Sequence, residues 1–350
     1  MPSKTSPLKG LESIPPTSNS HEIADYIELL CLVSQDGRVS KADVIDLVRE
    51  RVEDLGEGKP TDLPDIEDEE LIEDQGLDKP EDAGPIVAND KWEERINDWF
   101  KNLDYRVRSF AESYPFRLIK NGTVLVLRGS KLRMNQQRKL YVFLLLASNL
   151  RYFTKPDQTS IASIFEVASW HALARYLPGD AKVYMFGRHA LNTGNYSGSL
   201  WGKVNRLAAD IGEKVVCEKS DFKPTNTGDA GLDLVGWLPF EHTSDEMTRG
   251  FLLAFGQCAC ATNWPKKQYE THYDTWKNYI SFTAYPFRLT FIPYCFRDAT
   301  GDWFDWTKIG MTVLVDRPRL MNLIGTSPKK LKPHIARHVD DVLKNARSVV

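Results

Sequence analysis

The stretch from Gly56 to Gly84 limits what this chain can fold into more than any other segment. It gathers Asp65, Glu67, Asp68, Glu69, Glu70, Glu73 and Asp74 and offers little apolar surface to bury. Such a segment cannot offset the entropy lost on ordering, so it reads as a linker and as the main domain boundary. It also divides the charge. Residues 1–100 carry 10 Lys+Arg against 26 Asp+Glu and residues 101–350 carry 35 against 22, so nets of −16 and +13 lie behind the overall −3. A basic body of that size suits a polyanion, whose phosphates attract it and release counterions on binding. The acidic segment is then a candidate competitor for the basic face; a merely solvated surface is the alternative.

At 350 residues, 42% hydrophobic and 11% aromatic, the chain has the length and composition for two domains with sizeable cores. Its best apolar run, Leu140 to Ala147, has the length of a core segment and falls well short of a membrane span. The Ser- and Pro-rich N-terminus has no apolar leader. No membrane association is expected. Five scattered cysteines, Cys31, Cys217, Cys258, Cys260 and Cys295, argue against a disulfide framework and for a cytoplasmic location.

The spacing of apolar residues predicts an unstructured tail over 1–20 and a small helical module over 21–55, with Ile23, Tyr26, Ile27, Leu30, Val44, Leu47 and Val48 on helical faces. The turn Gln35-Asp36-Gly37 is like half a calcium loop, but Leu32 would fall at its first ligand position, which excludes calcium. An acidic linker over 56–88 and a helical and β extension over 89–155, packing on the core, come next. Residues 156–350 read as an α/β domain ending in a basic helix. Within it, helices are expected over 161–177, 200–211 and 269–280, and strands over 182–186, 232–237, 251–258, 288–293 and 311–315. Tyr114-Pro115-Phe116-Arg117-Leu118 recurs as Tyr285-Pro286-Phe287-Arg288-Leu289 with unmatched flanks, which reads as coincidence or as two similar turns into strands. No Gly-rich phosphate loop is present, so ATP hydrolysis is not expected.

The segments 232–237 and 251–258 read as a hairpin that sets the carboxylate of Asp233 beside the carboxamide of Gln257. Oxygen ligands at one height on neighbouring strands suit a hard divalent cation. An ordinary hairpin, with Asp233 hydrogen-bonded near a turn, is the competing interpretation. Cys258-Ala259-Cys260 lacks the two-residue spacing of structural zinc sites, which makes these core cysteines. A cysteine nucleophile would need a base such as His171 or His189 close by, and the sequence does not supply one. Trp303-Phe304-Asp305-Trp306 is a candidate for base stacking or for plugging a core edge.

A helix carrying Phe165-Glu166, then Gly231-Leu232-Asp233, then Gln257-Cys258-Ala259 resembles the PD-(D/E)xK nuclease superfamily. The match is to the restriction endonuclease-like, Mrr-type branch with GxD on one strand and QxK on the next, and it covers roughly 160–294. The resemblance implies a restriction endonuclease-like mixed β-sheet flanked by helices, here preceded by the small helical module and the acidic linker. It implies a DNA endonuclease that hydrolyses phosphodiesters with water activated by Mg²⁺ (or Mn²⁺), acting as an effector in a multi-subunit bacterial antiphage or restriction system with partner proteins. Carried over, Asp233 is the principal metal ligand and Gln257 a second. The carbonyl of Cys258 and the carboxylates of Glu166 and Asp229 complete the candidate set. The pattern departs at Ala259, where the family has a lysine that stabilises developing charge. Lys266 or Lys267 on the following segment is the candidate replacement; without one, the site belongs to a DNA-binding subunit that does not cut.

Overall fold

The computed structural model describes residues 8–15, 17, 19–54, 85–187, 195–223, 225–240, 249–325 and 331–345. The acidic stretch, expected over 56–88, lies outside the described residues up to Gly84, as does His189. From Pro85 to Phe110 the chain is helical, so the expected linker ends before residue 88.

The chain divides into two units. The first comprises residues 1–154, 296–304 and 338–350. It contains α1 (Ser20–Val33), β1 (Arg38–Ser40), α2 (Lys41–Asp54), α3 (Pro85–Phe110), β2 (Phe116–Ile119), β3 (Val124–Leu127) and α4 (Gln136–Ser148). The three strands form an antiparallel sheet in the order β1-β3-β2. The sheet joins the expected module at 21–55 to the expected extension at 89–155, so the two are one folded unit. Segment 8–15 also differs from the predicted loose tail. Leu8, Leu11 and Ile14 are buried, Leu8 bridges Phe153, and Tyr26 donates to the Leu11 carbonyl at 2.7 Å. Three apolar side chains spaced by three residues suffice to tie this Pro-flanked segment down.

A buried ionic cluster sits at the centre of this unit. Arg106 on α3 lies 2.5 Å from Asp25 and 3.0 Å from Glu28 of α1. The hydroxyls of Tyr114 and Tyr141 donate to Glu28 at 2.6 and 2.9 Å. All five side chains are buried and each is paired with another, which is the condition under which buried charge is tolerated. Phe304, from the aromatic run 303–306, packs its ring against His21 and Phe296 in this unit.

The second unit comprises residues 155–295 and 305–337. Its elements are α5 (Lys155–Tyr176), β4 (Lys182–Met185), α6 (Leu200–Asp210), β5 (Lys214–Val215), β6 (Leu234–Leu238), β7 (Leu252–Cys258), α7 (Trp264–Lys267), α8 (Tyr273–Trp276), β8 (Ile280–Ser281), β9 (Phe287–Phe291), β10 (Val313–Val315) and α9 (Arg317–Gly325). The last helix, α10 (Leu331–Asn345), starts here and ends in residues assigned to the first unit. A mixed five-stranded sheet runs β10-β9-β7-β6-β4, with β4, β6 and β7 antiparallel and β7, β9 and β10 parallel. Helices flank it, and α5 lies against β4, β6 and β7. The fold is therefore mixed α/β, as expected. The single helix predicted over 269–280 is instead one four-residue helix, α8, and the start of a short strand, β8, which pairs with β5. Here the packing of Trp276 and Ile280 into the core overrides the helical spacing.

No helix among the described residues is long and apolar enough to cross a membrane.

Candidate functional site

Asp233 lies between a turn and the first residue of β6. In the turn, Asp229 Oδ1 accepts the Gly231 N–H at 2.9 Å, and Ala230 and Gly231 take left-handed φ values of 51° and 78°. Glycine is required at 231: a Cβ there would collide with Glu270, whose Oε2 would be 2.8 Å away. The chain then enters β6 with Leu234 opposite Gly256, and continuing that register puts Asp233 opposite Gln257. Side chains on opposed residues of antiparallel strands share a face.

The backbone of Asp233 fixes it on both sides. Its carbonyl accepts from Phe186 at 2.7 Å and Gly187 at 3.0 Å, and its N–H donates to Gly256 at 3.1 Å. The Cys258 N–H donates to Oδ2 at 2.7 Å, which leaves Oδ1 for another partner. Glu166 arrives from α5 on the stripe that faces the sheet, one residue after Phe165 and one turn before Ser169, all buried. Gly187 lies between the two acids. The point that a Cβ on Gly187 would occupy is 3.1 Å from Asp233 Oδ1 and 3.4 Å from Glu166 Oε2.

Burial pushes both carboxyls up. Glu166 rises to about 9, chiefly by desolvation and then by the negative charges of Asp233 and Asp229. Asp233 rises to about 7, again chiefly by desolvation, with Asp229 and Glu270 adding to it and the Cys258 N–H and Lys267 opposing. Two carboxylates that resist ionising side by side are stabilised by a cation placed between them. Gln257 Oε1 is buried and receives no hydrogen bond from any described residue, the condition of a carboxamide oxygen available as a ligand.

The two lysines of α7 part company. Lys267 is half-buried, and its charge lowers the carboxyl pKa of both Glu166 and Asp233, so it belongs to this site. Lys266 is exposed and lines a neighbouring cleft of about 730 Å³ with Asp229, Tyr269 and Glu270. Ala259, at the position of the missing lysine, is buried. Burial, and then the charges of Asp233 and Glu166, hold the Cys258 thiol well above its usual range, which disfavours the thiolate. His171 is half-buried.

Three residues here carry no signal in the sequence. Gly187 provides the space between the acids. Glu270 packs across the Asp229–Gly231 turn. Lys203, on the apolar stripe of α6, is buried and donates to the carbonyls of Phe186, Thr227 and Gly228 at 3.3, 3.4 and 3.1 Å. It ties together the two loops that lead into Gly187 and Asp229.

Among the described residues no three His, Cys, Asp or Glu side chains converge as a ready-made metal cage. The donors on hand are the carboxylates of Glu166 and Asp233 and the carboxamide oxygen of Gln257. That set fits Mg²⁺, which keeps several waters and is commonly held by one or two carboxylates, better than it fits an ion demanding a full protein shell. No family model, no curated protein and no solved structure matches this chain.

Proposed function

We propose that the second unit is a Mg²⁺- or Mn²⁺-dependent DNA endonuclease that works with partner proteins as an effector of a bacterial antiphage or restriction system. The observation that carries this reading is the pairing of Asp233 Oδ1 and Glu166 Oε2 around the Cβ-less position of Gly187, with Gln257 on the adjoining strand. A divalent cation held there would supply Lewis acidity toward the phosphodiester and a water of lowered pKa. The chain's own residues would then do the rest. Asp233, oriented by the Cys258 N–H, and Gln257 would fix the ion's position. Glu166 would hold or release a proton beside it, and Lys267 would place its ammonium where the family's strand lysine acts. The basic balance of residues 101–350 would hold the DNA backbone, largely without reading sequence.

Ala259 favours a second reading, a nuclease-fold subunit that binds DNA without cutting it. One assay separates the two: plasmid and linear DNA with Mg²⁺, Mn²⁺ or EDTA, beside Asp233→Ala. Metal-dependent cleavage that the substitution abolishes supports the endonuclease. Salt-sensitive binding with no cleavage under any condition supports the inactive subunit.

A further inference from the structure

The first unit holds a charged cavity that the proposed chemistry does not use. A surface cleft of about 530 Å³ is lined by Arg117, Arg128, Gly129 and Arg138. The sheet brings the first two together: Arg117 stands opposite Val126 on β3, and the Arg128 N–H donates to the Pro115 carbonyl at 2.7 Å. Arg138 comes from the first turn of α4, capped by Asn135, which accepts its N–H at 2.9 Å. Backbone carbonyls aim two of the guanidiniums. Arg138 Nε donates to Glu112 at 3.1 Å and Arg128 Nη1 to Ala111 at 3.4 Å.

Three like charges around one hollow call for an anion. Of the described carboxylates, only Glu112 comes within ion-pair distance of any of the three, 3.7 Å from Arg128 and 3.5 Å from Arg138. Its side chain is 90% exposed, so water and salt screen it and it neutralises little. The planar forks of arginine match phosphate oxygens. The surroundings point the same way: from Ser113 to Thr154 the chain has eight Lys or Arg and no Asp or Glu. A small-nucleotide pocket would be enclosed and mostly apolar, whereas this lining is three arginines and a glycine.

We propose that Arg117, Arg128 and Arg138 form a phosphate-binding site through which the first unit docks the backbone of a nucleic-acid strand, independently of the Asp233 site. The test uses the full chain in EDTA and a labelled short DNA duplex, with anisotropy followed across KCl concentrations. Arg117→Ala and Arg128→Ala are compared with Lys101→Ala, a control at an exposed lysine that pairs with Asp98 on α3. Each arginine variant should weaken binding several-fold and make the slope of log K against log salt shallower by about 0.9, the value for one lost phosphate contact. Glu112→Gln, which removes the competing carboxylate, should tighten binding, and millimolar pyrophosphate should displace the duplex from the wild type. The assay contains EDTA and needs no divalent cation, so a failure of the metal-site reading leaves this result untouched. Arginine variants with the slope of Lys101→Ala would overturn the proposal. So would loss of pyrophosphate binding in Arg117→Ala with an unchanged duplex slope, which would assign the site to a free phosphate compound.

Discussion

Gly187→Ala adds one carbon between two carboxylates and nothing else. The carbon would lie 3.1 Å from Asp233 Oδ1 and 3.4 Å from Glu166 Oε2. A Mg²⁺ ion sits roughly 2 Å from each oxygen it binds, and its waters lie about 2 Å further out, so a methyl at these distances falls inside the ion's shell. In EDTA the variant should fold normally. The lower entropy of the unfolded alanine chain favours it by about 0.4–1 kcal/mol, which offsets a tight 3.1 Å contact that the Asp233 side chain relieves by a small movement. With Mg²⁺ at a hundred times its dissociation constant, the wild type should gain about 2.7 kcal/mol. For a unit of this size that is an upward shift of roughly 5–10 °C in Tm. The variant should lose the shift and any metal-dependent cleavage together. Thermal denaturation across a Mg²⁺ titration reads the EDTA baseline and the shift, and the DNA assay reads cleavage. A variant with an unchanged EDTA baseline and a full Mg²⁺ shift would show that no cation occupies the space between Asp233 and Glu166.

The raised carboxyls set a pH dependence whose sign is fixed. In the folded, metal-free protein Glu166 and Asp233 keep their protons up to about 9 and about 7, while in the unfolded chain they ionise near 4.5 and 3.8. Their contribution to stability is therefore present at low pH and is lost as pH rises from about 4 to 9. Tm in EDTA should fall over that range; Asp233→Asn should flatten the fall, and an equally steep fall in that variant would contradict the assignment. Lys267→Ala should slow cleavage about 10²-fold or more while Lys266→Ala stays near wild type, because only Lys267 acts on both carboxylates. Single-turnover rates decide this, and equal effects would remove the distinction. In the first unit, Arg106→Leu strands Asp25 and Glu28 without their cation and should cost about 3–5 kcal/mol in chemical denaturation. A loss under 1 kcal/mol would mean that the tyrosine hydroxyls alone satisfy Glu28.

Helices and strands were legible wherever one periodicity dominated. The expected strand at 251–258 and helix at 200–211 match β7 and α6 to within a residue. The spacing failed at 269–280, where the burial of Trp276 and Ile280 decides the path and the helical pattern is incidental. The repeated pentapeptide shows why identity of residues is not identity of environment. Both copies lead into strands, β2 and β9. Yet Tyr114 is buried with its hydroxyl on Glu28, while Tyr285 is 77% exposed. Arg117 faces a cleft, while Arg288 is buried and donates to the carbonyls of Gln268, Gly310 and Met311. Partners distant in sequence set those differences, and a local pattern holds no record of them.

The candidate site divides along the same line. Asp233 and Gln257 were legible because a two-residue period and one register place them on a shared face, and register is a local property of the hairpin. Glu166 was legible only as an acid on a helix; its reach depends on α5 lying across β4, β6 and β7, which the core residues around it determine. Lys266 and Lys267 were indistinguishable as neighbours in sequence, because helical rotation of about 100° per residue separates them only once α7 is seated. Gly187 was illegible for a plainer reason: its part is to contribute no side chain, and an absent Cβ signals its purpose only when two carboxylates are seen to converge on it.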